Sequence, residues 1–296
     1  MTRRHFVIST AALPLVAQTS AAQPRKRPTL CVFSKHMAQF QWDELGAKAK
    51  QLGFEGIDLT VRPKGHVLPE RVAEDLPKAV DAIRKHGLSV PMVTTDLKSA
   101  DDPAARPTFE AMQKCGVPLY KVGYWTYRKD QPDVLSTIAA CKAKFQGLVA
   151  LSSKYGLAAG LHNHSGADVG CAIWDYREIL AGCPEKDGGY YFDPGHAVIE
   201  GGLFNHRVSL DIVLPRLKMS AIKDFYWGKK NGKWAGVWCP LGEGMVPWPE
   251  FFSAYAKAGF TGPLSLHQEY PGGEDLETIR KDLEFVKKQL SAAYGA

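Results

Sequence analysis

The side chains in this sequence able to do acid–base or metal chemistry fall into four short clusters. They are His162 and His164, Asp193 and His196 in an Asp-Pro-Gly-His run, Lys223 beside Asp224, and His267 with Glu269. Residues two apart on a strand share a face. His162 with His164, Ala221 with Lys223, and His267 with Glu269 would therefore project together if each cluster ended a strand. Brought to one point, the imidazoles of His162 and His267 and the carboxylate of Asp193 would suit Mn, Co, Zn or Fe, with positions open for substrate oxygens. Glu269 is then the expected base, since a carboxylate near a cation stays ionised, with His162 or His196 as alternatives. Lys223 would neutralise charge developing on a substrate oxygen. Lys35, His36, Arg62, His66, Trp125, His164 and Asp224 complete the expected substrate-contacting set.

The elements needed to position these groups are legible from residue 29 onward. Short apolar runs at 30–34, 56–61, 89–95, 119–125, 158–164, 190–193, 219–225 and 263–269 alternate with longer amphipathic stretches such as 42–52, 76–86, 134–155, 248–258 and 275–294. His-Gly at 86–87, Cys-Gly at 115–116, Tyr-Gly at 155–156 and Ala-Gly at 258–259 repeat one helix-stop signal before a strand. Eight strands joined by helices imply parallel pairing. Eight units over this length predict one α/β domain, a single (β/α)8 TIM barrel over 29–296. No GxGxxG follows the first strand, which disfavours a dinucleotide-binding sheet. Functional groups in such barrels sit at the C-terminal strand ends, and six of the nine histidines (36, 66, 162, 164, 196 and 267) fall there. The stretch 228–246, after the seventh strand, is expected to be a loop covering the substrate.

Residues 1–28 are expected to be a signal peptide and short tail. Arg3 and Arg4 precede an apolar stretch from Phe6 to Ala17, and the small residues Ser20, Ala21 and Ala22 mark cleavage near Ala22. The Arg-Arg start resembles a twin-arginine leader and predicts export to the periplasm. The formal charge of +6 is not gathered into Lys/Arg blocks interleaved with aromatics, so no nucleic-acid surface is indicated. No uninterrupted run of 18 apolar residues appears, so no transmembrane segment is expected. Six scattered cysteines lack CxxC spacing; Cys171 and Cys183 form a conceivable pair in an exported protein. A homo-oligomer is compatible with the sequence, which carries no signal of its own on that point.

Taken together, Gly56-Ile-Asp-Leu-Thr-Val-Arg62, Gly65-His66-Val67, His162-Asn-His164, Phe192-Asp-Pro-Gly-His196, Ile222-Lys-Asp-Phe225, Leu241-Gly-Glu-Gly244 and Gly262-Pro-Leu-Ser-Leu-His267 give the chain a family likeness. It resembles the xylose isomerase-like TIM barrels of the sugar phosphate isomerase/epimerase superfamily over roughly residues 30–290. The resemblance implies an enzyme moving a proton alpha to a carbonyl of a sugar or sugar derivative. It also implies a divalent metal (Mn, Co, Zn, Fe or Mg) held by Glu, Asp, His and Glu from strands five to eight. Carried over residue by residue, the first Glu falls on His162, the Asp on Asp193, the strand-seven His on Ala221 and the last Glu on His267. That shell is not intact, which leaves either a three-ligand site of His162, Asp193 and His267 or no metal.

Each expectation has a plainer competitor. His162 and His164 could be hydrogen-bonded interior histidines, Asp193 a turn cap, Lys223-Asp224 a local salt bridge, and the tryptophans packing. Two rival functions also fit the sequence. One is a lyase that uses the same enolate to expel a leaving group from a keto-glycoside. The other is a sugar-binding barrel without catalysis, for which Ala221 is the best support.

Overall fold

The repeated helix-stop glycines act as the spacing predicts. Gly53, Gly87, Gly116, Gly156 and Gly259 all take positive φ, between 63° and 95°, a conformation that ends a helix at little cost only without a Cβ. In the computed structural model, which describes residues 26–128, 130 and 133–295, each of these turns feeds a barrel strand. The strands are β1 (Leu30–Phe33), β2 (Gly56–Val61), β3 (Ser89–Thr95), β4 (Leu119–Lys121), β5 (Ala158–His162), β6 (Gly188–Phe192), β7 (Leu217–Ile222) and, after an antiparallel hairpin of β8 (Asp224–Lys230) and β9 (Lys233–Cys239), β10 (Leu264–Leu266). The helices are α1 (Trp42–Leu52), α2 (Val72–Arg84), α3 (Ala105–Cys115), α4 (Val134–Ser152), α5 (Ile173–Leu180), α6 (Pro194–Val213), α7 (Trp248–Lys257) and α8 (Leu276–Tyr294).

The parallel strands close in the order β1-β10-β7-β6-β5-β4-β3-β2, a single (β/α)8 barrel. Leu59, Val93, Tyr120, Ile222 and Leu266 are buried together with the helix faces. A second, smaller cluster of Met92, Tyr191, Met219 and Ala221 is fully buried apart from it. Apolar layers of this kind fill a barrel, so it has a floor rather than a channel. Above it Asp58, completely buried, accepts hydrogen bonds from Thr94 Oγ1 (2.8 Å), Ser265 Oγ (2.8 Å) and Tyr191 OH (3.0 Å). Burial pushes its carboxyl up to about 6.

Three departures from the sequence reading have physical reasons. The run 219–225 is not one strand: β7 stops at Ile222, and β8 restarts at Asp224 in the hairpin. The expected covering loop 228–246 is therefore mostly that hairpin. Cys171 and Cys183 are both free thiols; the eight-residue helix α5, about 12 Å long, lies between them. α4 with the turn after it is long and apolar enough to cross a membrane by length and composition. In this fold it is a barrel helix, burying Ile138, Cys141, Phe145 and Leu148 in the core. The leader expected before Ala22 lies outside the described residues. Where the tail enters the structure, Arg27 already forks onto the Glu55 carboxylate, tying it to the barrel.

Candidate active site

Register brings the four clusters to one rim. His162 ends β5 opposite Tyr191 of β6, and their rings stack 4.4 Å apart. Asp193 follows β6 and caps α6, its Oδ1 accepting the His196 amide (3.1 Å). Leu266 pairs with Ile222, which sets His267 and Lys223 side by side one residue further on. At the centre, Lys223 Nζ lies 3.2 Å from Asp193 Oδ2 and 3.3 Å from Glu269 Oε2. His162 Nε2 is 3.2 Å from the same Asp193 oxygen, and its Nδ1 is 2.6 Å from Tyr124 OH. His267 Nε2 is 3.0 Å from Tyr191 OH, and its ring stacks on Phe33.

These contacts set the charges. Burial drives His162 down to about 4 and His196 and His267 well below the usual imidazole range, so all three are neutral near pH 7. Burial alone would raise Asp193, but the Lys223 ammonium and the His162 hydrogen bond outweigh it and hold the carboxyl below its ordinary value. Burial likewise opposes the Glu269 anion, and Lys223 and Lys35 (Nζ–Oε1 3.0 Å) more than compensate, holding it far below the carboxylate range. Glu269, the expected base, is thereby a very weak one.

A cavity of about 170 Å³ opens over this rim, lined by Phe33, Lys121, Tyr124, His162, Lys223 and Glu269 among others. Lys121, the last residue of β4, lines this cavity although it is not among the residues expected from the sequence. It is 2% exposed, its Nζ sits 3.4 Å from the Tyr124 ring centroid, and no carboxylate lies within ion-pairing distance among the described residues. Burial lowers its ammonium to about 7. The signal available in the sequence was a lone lysine inside the apolar run 119–125.

The other expected contacts divide. His164, Arg62 and Lys35 line the cavity. His66 lies in a larger adjoining chamber. His36 is buried behind Phe33, its ring 6.2 Å from His267. His196 does not reach the cavity wall; its Nδ1 accepts from Ser165, and its ring packs against His164 and Trp238. Trp125 is a core residue whose surface lines a separate groove beside α4. Trp238 carries the Lys223 ammonium 4.7 Å from its ring. Asp224 makes no substrate wall. It accepts from the amides of Phe225, Gly242 and Val246 and from Trp248 Nε1, at 2.9–3.1 Å, and so pins the segment after the hairpin. Gly244 is required there, since a Cβ would stand 2.1 Å from Asp224 Oδ1. Asp224→Ala orphans four buried donors at about 1–3 kcal/mol each, not additively. We expect a loss of about 3 kcal/mol or more in urea unfolding, with early protease cleavage in the hairpin; unchanged stability would refute the anchoring role.

The family profile described as xylose isomerase-like TIM barrel matches residues 47–289. The chain belongs to that family. No curated protein matches it in sequence. Solved structures similar in fold include the 3-keto-D-glucoside 4-epimerase YcjR from E. coli (14% identity, TM-score 0.68, covering 88% of this chain and 100% of that one). A D-allulose 3-epimerase from Methylomonas sp. is similar at 17% identity and TM-score 0.67, covering 90% and 99%. A family member from Mycobacterium smegmatis in complex with magnesium is similar at 14% and 0.67, covering 90% and 97%. The fold is that of sugar isomerases and epimerases.

The family's metal does not fit the residues found here. Among the described residues no three His, Cys, Asp or Glu side chains converge as a metal shell. Ala221 offers no donor, both ring nitrogens of His162 are engaged, by Asp193 and Tyr124, and Asp193 Oδ2 already faces both Lys223 and His162. An ion at about 2 Å from that oxygen would lie against the Lys223 ammonium. The expected shell of His162, Asp193 and His267 is therefore replaced by a lysine bridging two carboxylates.

Proposed function

We propose that the protein is a sugar isomerase or epimerase that moves a proton alpha to a carbonyl of a sugar derivative, with Lys121 as the base. The observation that carries this is the buried Lys121 amine, unpaired with any described carboxylate and facing a cavity of polar rings. A base works best with a pKa near the operating pH, and Lys121 is the cavity group so tuned. Neutral His162 and His267 would orient hydroxyls by hydrogen bonding. Lys223 and Lys35 would neutralise the oxygen on which enediolate charge develops. The proton held by Lys121 is then returned on the same face to the neighbouring carbon, which isomerises the substrate; epimerisation would instead need a second proton donor on the opposite face of the enediolate.

The test is exchange in D2O with EDTA present. A 3-keto-glucoside or D-fructose should take up deuterium beside its carbonyl, and the rate should be unchanged by the chelator. Absence of exchange from both compounds, or its loss on chelation, defeats the proposal.

A further inference from the structure

We infer that the substrate is a two-unit glycoside whose second unit bears a carboxylate and occupies the chamber beside the inner cavity; this rests on the reading that the inner cavity holds the reacting ring. The inner cavity, about 170 Å³, falls below the roughly 300–1,000 Å³ typical of ligand sites. The adjoining chamber measures about 400 Å³, and Lys35 and Arg62 line both. A free monosaccharide would leave the larger space unused.

The walls of this chamber suit a second sugar. Trp42 and Phe40 present half-buried aromatic faces, and Trp42 is fixed by donating Nε1 to the His66 carbonyl (2.9 Å). Such faces accept the apolar side of a sugar ring while polar neighbours take its hydroxyls. Leu68, 37% exposed, forms the outer lip.

The charge pattern selects the second unit. Arg71 is satisfied by Asp75 at 2.7 and 3.0 Å, and Lys35 by Glu269. Arg62 and Lys64 have no carboxylate partner among the described residues. The Arg62 guanidinium lies 5.6 Å from the Phe33 ring centroid, at the junction of the two spaces. Lys64 holds φ at 60°, a strained conformation for a residue with a Cβ. Gly65 closes this turn by donating to the Arg62 carbonyl (2.9 Å), and a Cβ at 65 would stand 2.9 Å from that oxygen. The turn thus holds two cations at the chamber wall, and a guanidinium pairs best with a planar carboxylate.

The experiment is calorimetric titration of the full chain with D-glucose, glucose 1-phosphate, cellobiose, maltose and the uronate-ended counterparts of both disaccharides. A disaccharide should bind at least tenfold more tightly than glucose, and its uronate form about threefold or more beyond that. Arg62→Gln combined with Lys64→Asn, in which Asn tolerates the left-handed turn, should erase the uronate advantage. Leu68→Trp, which fills the lip, should bring the disaccharide-to-glucose ratio to about one, with melting curves confirming that both variants fold. The inference is overturned if glucose binds as tightly as every disaccharide, if glucose 1-phosphate outbinds the uronates, or if the uronate advantage survives the double variant. Absence of binding by any of these sugars defeats the functional proposal as well.

Discussion

Lys121→Met should lose turnover by about 10²–10⁴-fold, the usual contribution of a positioned general base, while the protein becomes more stable. The wild-type rate should rise as pH climbs through about 7, because the base must be neutral and burial holds its ammonium near that value. The stability effect has a definite sign. The lysine pKa is about 10.4 in the unfolded chain and about 7 in the fold. Between those values the unfolded chain holds a proton that the native state has lost, so stability rises with pH across that window. Below pH 7 the wild type carries the whole burden of a buried cation. Methionine removes it, so the variant's gain, on the order of a few kcal/mol, should be largest at pH 6 and shrink by pH 9. Urea unfolding of both proteins at these two pH values checks it. A destabilised variant, or one with wild-type turnover, removes Lys121 from the base role.

The sequence made the scaffold legible because its signals are local. Glycine stops, apolar runs and helical spacing each report on a few neighbouring residues, and closure into a barrel follows from repeating them eight times. The rim was legible for the same reason: His162, Asp193, Lys223 and His267 fall at strand ends whatever their side chains then do. What those side chains touch was not legible. A lysine has four methylenes, and nothing local says that Lys223 reaches Asp193 and Glu269 rather than solvent. Glu269 reads as a base until two ammonium groups are found on it. Lys121 stands inside the run 119–125 with nothing local to mark it out, and only the closed barrel shows that its amine is buried. Asp224 is different, because its outward role could have been inferred: adjacent strand residues face opposite sides, so an inward Lys223 already turned Asp224 away from the cavity.

Lys223 carries the second large effect. Asp193 is fully buried, and its other contacts are neutral: the His162 ring, the His196 amide, and Asn163, which binds the Asp193 backbone rather than its carboxylate. Lys223→Met therefore leaves an uncompensated buried carboxylate, a change that typically destabilises by about 3–5 kcal/mol. The native Asp193 pKa is held down chiefly by Lys223 against burial, so it should rise in the variant. A depressed carboxyl pKa stabilises above its unfolded value and loses that contribution as pH falls, whereas a carboxyl pKa raised by burial costs stability as pH rises, so the variant should weaken as pH climbs. The defect should be larger at pH 7 than at pH 4. Adding Asp193→Asn removes the stranded charge and should recover much of the stability without restoring turnover. That separation distinguishes a lysine that merely balances a buried charge from one that also meets the oxygen of the substrate. If the double variant regains both stability and turnover, Lys223 is a structural counter-ion, and the neutralisation of the enediolate falls to Lys35.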